Sequence, residues 1–217
     1  MADSSSYYLM VATFLPLIFS PVAYYLGKRK GVNIVTWFSF GILALSTIFI
    51  IIPSLGLGSA GSYQEIYPWS QLGHFGLKLD GLSIPFAITI YLLCTVVVFY
   101  SKPYMMRKIM NEYNQTKTAL NGKNDYFEDV EIENDNYNTG DTSSLVLSGD
   151  QKLYLNSQMG LYFALYLAFS MGMVGTILAT NLVEFYAFFE LMLVPTFFLI
   201  AFFGYGNRKK VTFIFFL

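Results

Sequence analysis

The 217-residue sequence holds one cysteine, Cys94, and one histidine, His74. A single thiol excludes an intrachain disulfide, a cysteine-based zinc site and an iron–sulfur cluster held by this chain alone. A single imidazole excludes a histidine-rich metal site. Charged residues make up 12% of the chain, against about 25% in an average soluble domain, so a water-solvated surface around a soluble core is the wrong picture. No phosphate loop, dinucleotide fingerprint, metal triad or nucleophile–base arrangement is present, which argues against a self-contained enzyme and predicts no cofactor. The start, Met1-Ala2-Asp3-Ser4, carries an acid where a cleavable signal peptide has basic residues. The net charge of −1 offers nothing to a nucleic acid.

What the chain has is apolar length. Hydrophobic residues make up 55% of it and the mean hydropathy is +0.50. A membrane span needs roughly 20 apolar residues to cross about 30 Å of hydrocarbon. Five segments qualify, at about 7–26, 33–53, 82–100, 160–179 and 182–203. A sixth opens at Lys210 and reads as the beginning of a helix whose remainder lies elsewhere. The expected fold is therefore an all-α, multi-pass transmembrane bundle of five full spans plus the start of a sixth. Residues 1–100 hold the first three helices, and 159–217 hold the fourth, the fifth and the start of the sixth.

Basic residues set the orientation. Lys28, Arg29 and Lys30 follow the first span, Lys102, Arg107 and Lys108 the third, and Arg208, Lys209 and Lys210 the fifth. The alternation puts 12 of the 13 Lys+Arg on one side, leaving Lys78 opposite. The basic side is then cytoplasmic and the N-terminus outside. Two loops are long. The external loop 54–80 is Gly-rich, with room for a short hairpin and with Tyr67 and Trp69 expected at headgroup level. The cytoplasmic insert 101–158 is polar, and its stretch Asp125 to Asp135 has six acids. Such a composition buries too little apolar surface to fold alone, so the insert is expected to be disordered.

Between Gly160 and Gly206 the charged side chains are Glu184 and Glu190. Glu190 lies eight residues into the fifth span, about 12 Å deep and close to the bilayer midplane. A carboxylate at that depth costs on the order of a few kcal/mol, and such residues usually handle protons or ions or pair with a cation on another helix. Pro195, five residues on, removes the backbone bond to the Leu191 carbonyl and predicts a polar kink beside the relay. Glu184 is expected at the outer edge of the span as an interfacial acid reaching for water, with at most a minor role. Six residues turn a helix by about 600°, so the two acids do not share a face. Asp80 is placed to cap the third helix, while His74 and Lys78 read as ordinary loop residues.

The stretch from Asn181-Leu182-Val183-Glu184 through Phe189-Glu190-Leu191-Met192-Leu193-Val194-Pro195 to Phe197-Phe198-Leu199-Ile200 resembles the fifth-helix motif of the antiporter-like membrane subunits of respiratory complex I, closest to the NuoM type. The external stretch Ile66-Tyr67-Pro68-Trp69 and the start Asp80-Gly81-Leu82-Ser83 of the third helix are similar to the same family. Phe189 stands where the family has tryptophan, the cytoplasmic insert is longer, and the family continues past a sixth helix. The resemblance implies a proton-translocating subunit of an NADH:quinone oxidoreductase-type complex, coupling electron transfer elsewhere in the complex to pumping. It implies that Glu190 is the relay carboxylate, paired in the family with a lysine on the seventh helix. Implied partners are the other membrane subunits, the lipid bilayer, and a chain or segment supplying helices six onward. The implied location is a prokaryotic cell membrane. The motif is shared by Mrp-type cation/proton antiporters and membrane-bound hydrogenases, and a non-pumping structural membrane protein is the third reading.

Overall fold

The structure, a computed structural model, describes residues 7–57, 61–69, 73–121, 148–204, 206 and 208–216. It is an all-α, multi-pass membrane bundle with one small hairpin. Helices α1 (Tyr8–Lys30), α2 (Val32–Gly56), α3 (Ser83–Asn121), α4 (Gly149–Leu178) and α5 (Leu182–Phe203) are each long and apolar enough to cross a membrane. A shorter α6 (Arg208–Phe216) follows. Strands β1 (Tyr63–Trp69) and β2 (Gly73–Leu79) pair antiparallel between α2 and α3. The fifth span is the helix read from hydropathy, residue for residue.

The insert expected at 101–158 is helical at both ends. α3 runs on to Asn121, and α4 begins at Gly149, where the Ser148 N–H donates to Gln151 Oε1 at 3.0 Å. Hydropathy stops at the membrane boundary, whereas a helix continues as long as its backbone bonds and a packing partner continue. The acidic stretch lies outside the described residues.

α4 is the central helix, packed against α1, α2, α3 and α5. Apolar burial cannot drive helices together in lipid, so close backbone approach and interhelical hydrogen bonds carry the association. At the α1–α4 crossing Gly27 faces Gly160, and a Cβ on Gly27 would lie 2.4 Å from the Gly160 Cα. Beside it, Ser20 Oγ donates to the Ala164 carbonyl at 2.8 Å. At the α4–α5 crossing a Cβ on Gly172 would meet the Met192 backbone, and one on Gly175 the Phe188 ring. Tyr166 donates across to the Cys94 carbonyl of α3 at 3.0 Å. The one-residue link between α1 and α2 is Gly31, whose φ of 97° favours glycine.

Pro16 lies inside α1 and leaves the Ala12 carbonyl without its helical donor. The buried Tyr91 hydroxyl of α3 donates to that carbonyl at 2.6 Å. Tyr91→Phe removes the donor and leaves a buried acceptor bare, which costs about 1–3 kcal/mol. The expected result is a lower thermal midpoint of the detergent-solubilised protein with its helix content unchanged. A midpoint equal to wild type would show that the carbonyl is satisfied by another route.

Candidate functional site

β1 alternates, so Tyr63, Glu65 and Tyr67 share one face, opposite Leu79, Leu77 and Phe75 of β2. That face lies over the bundle. Glu65 is 6% exposed. Its Oε1 accepts from the Leu9 N–H at 2.9 Å and the Tyr63 hydroxyl at 3.0 Å. Its Oε2 accepts from the Met10 N–H at 2.9 Å and the Tyr67 hydroxyl at 3.0 Å. These are free N–H groups of the first turn of α1, where a carboxylate also meets the positive end of the helix dipole. Burial, and then the bond to Glu65, hold the Tyr67 phenol above its ordinary pKa. Glu65 was not singled out from the sequence; the signal was the alternation Tyr63, Glu65, Tyr67.

Glu184 corrects a sequence expectation. It does not reach for water at the membrane edge but is 2% exposed and fully hydrogen-bonded. Its Oε1 accepts from the Gly76 N–H and Asn181 Nδ2, both at 2.7 Å. Its Oε2 accepts from the N–H and hydroxyl of Thr180, both at 3.0 Å. Asn181 Oδ1 caps α5 by accepting the Glu184 N–H at 2.9 Å. Glu184 lies in the first turn of α5, and the hairpin covers this end of the helix, with Leu77 bridged to Ala179.

Asp80 caps α3 as expected. Its Oδ1 accepts from the Leu82 N–H at 3.1 Å and from the N–H and hydroxyl of Ser83, both at 2.9 Å. The Ser83 bonds hold its carboxyl below the usual range, with Lys78 3.6 Å away adding to the effect. His74 contributes its backbone carbonyl, which accepts from Asn181 Nδ2 at 3.2 Å.

Glu190 stands apart from all of these. α5 turns Glu184, Phe188 and Pro195 inward, and these three are buried. Leu182, Val183, Phe185, Tyr186, Phe189 and Glu190 are exposed on the other side. The Tyr186 phenol, one turn earlier, faces the Glu190 carboxylate. The structure therefore separates the two acids, and Pro195 is buried on the packed side of α5. A cleft of about 350 Å³ opens between α1, α5 and the hairpin. Its walls are aromatic and aliphatic, and its one carboxylate, Glu184, is already fully bonded.

At the far end of α5, Lys108 of α3 is 8% exposed. Its Nζ donates to the carbonyls of Phe203 and of Gly204, the latter at 3.0 Å. A cation on the last carbonyls of a helix satisfies groups that have no partner within it and opposes the negative dipole end. From the sequence, Lys108 read as a topology marker alone.

No protein-family model and no curated protein sequence matches the chain. Among solved structures, it is similar to a chain of the membrane-bound sulfane sulfur reductase, an archaeal respiratory membrane complex, with a TM-score of 0.55 at 16% sequence identity. The match covers 97% of this chain and 34% of the other, so this chain spans about a third of that protein's length. At that identity the likeness concerns the fold.

Proposed function

We propose that this chain is a membrane subunit of a complex I-like respiratory assembly, in which Glu190 is the carboxylate of a proton-translocating pair. The observation that carries the reading is the direction of Glu190. It sits about 12 Å along a spanning helix, on the face that the bundle leaves uncovered. A carboxylate exposed at that depth needs a partner or water; the Tyr186 phenol faces it within α5, and a cationic partner would come from a covering helix. A lysine on a covering helix, as in the antiporter-like subunits that the fifth helix resembles, meets that need. The fold likeness to a chain of an archaeal respiratory membrane complex supports the same reading. The other membrane subunits are its partners, the hairpin end faces outward, and the basic end faces the cytoplasm of a prokaryotic cell.

The test is Glu190→Gln in the assembled complex, reconstituted in vesicles and driven by its own electron donor. Gln keeps the size and a hydrogen-bonding head but cannot release a proton. Acidification is expected to fall to background while the subunit still co-purifies with its complex. Pumping at the wild-type rate would overturn the proposal and favour a non-pumping structural role.

A further inference from the structure

We propose that Glu184 and Lys108 are positioning residues that aim Glu190, by fixing the rotation of α5 at its two ends. This rests on the reading of Glu190 as the translocating carboxylate. α5 is the least buried of the five spans, so one face alone must hold it. In its middle, that face meets Gly172 and Gly175 of α4 through Met192 and Phe188. Helix contacts in lipid have no hydrophobic drive behind them, and the middle of α5 is held by packing against these glycines.

The ends are different. At the first turn the Glu184 carboxylate is locked to Gly76 of the hairpin and to Thr180 and Asn181 of the α4–α5 link. At the last turn Lys108 holds the Phe203 and Gly204 carbonyls against α3. Phe188, one turn below Glu184, packs in tilted contact with Phe14 of α1 and Phe75 of β2, with ring centres 5.9 and 6.1 Å apart. Both charges are buried, on opposite ends, and belong to contacts with different elements. Six residues separate Glu184 from Glu190, so pinning the first inward turns the second about 120° away from it. A relay group has to be held near its productive geometry by residues that are themselves locked, and these two charges fill that role.

The measurement is the rate at which dicyclohexylcarbodiimide, a lipid-soluble reagent, converts Glu190 to its N-acylurea in membranes holding the full chain, read by mass spectrometry of the α5 peptide. Labelling is expected to fall several-fold in Lys108→Met and in Glu184→Leu at equal membrane content, and to return in Lys108→Arg, whose guanidinium also donates to carbonyls. Glu184→Gln retains one good acceptor and is expected to fall in between, which keeps the assay readable if the leucine variant does not insert. Unchanged labelling in inserted Lys108→Met and Glu184→Gln, or a loss that arginine does not restore, would overturn the proposal. Labelling reports where Glu190 points and not whether protons cross, so its outcome is separate from that of the translocation assay.

Discussion

Gly160→Val is expected to cost much of the stability of the α1–α4 crossing. A Cβ at Gly160 would lie 2.8 Å from the Tyr24 carbonyl oxygen and 3.2 Å from the Gly27 Cα. Both are backbone atoms of α1 and cannot rotate aside, so the helices must separate. Separation also stretches the Ser20–Ala164 bond, now 2.8 Å. Overpacking a tight site costs about 1–3 kcal/mol where side chains can yield; here the obstacle is backbone, so the upper end applies. The thermal midpoint in detergent should drop by many degrees, with increased proteolysis between α1 and α2. Gly41→Ala is the matched control. It has nothing within 4 Å of a new Cβ, and alanine favours helix by about 1 kcal/mol, so it should leave the midpoint unchanged or raise it. Equal effects of the two variants would mean that the α1–α4 approach is not tight.

The membrane class and the spans were legible because a bilayer imposes a length and a polarity that leave few alternatives. α5 was read from Leu182 to Phe203 because the apolar run fills that stretch and is long enough to cross. The position of Glu190 within the span followed from the same counting. Its direction did not, since the apolar residues of α5 surround it on every side and give no stripe to orient by. The extension of α3 to Asn121 was hidden because a polar helix beyond the membrane looks like any polar linker. Lys108 was absorbed into the count of basic residues, although its position beside the end of α5 is a tertiary fact. Glu184 was placed near the start of the fifth span, where α5 has it in its first turn, and given the wrong surroundings, because nothing along the chain says that residues near 76 fold over residue 184. Asp80 was read correctly since its cap is local, three residues wide.

The second large effect concerns the hairpin. Glu65→Leu is expected to detach β1 from α1. The substitution removes the acceptor of the Leu9 and Met10 N–H groups and the bonds that the Tyr63 and Tyr67 hydroxyls make to Glu65. Hydrogen bonds to a charged group contribute about 1.5–3 kcal/mol each and do not add fully, so a loss of at least about 3 kcal/mol is expected. Two pieces of geometry make Glu65→Gln a discriminating companion. An amide offers one acceptor oxygen, so one backbone N–H keeps its partner while the other faces an NH₂ group. The phenols adapt, because a hydroxyl can turn and accept from the amide, but a backbone N–H cannot. Gln should therefore retain about half of the stabilisation, and leucine almost none. The measurement is hydrogen–deuterium exchange of the Leu9 and Met10 amides and of the β1 backbone. Fast exchange in Glu65→Leu, intermediate in Glu65→Gln and slow in wild type is the expected order. The charge and not merely the shape of Glu65 is expected to hold the N-terminal end of α1, so equal protection in all three would show that the hairpin is kept in place by Leu77, Leu79 and the Glu184 contacts alone.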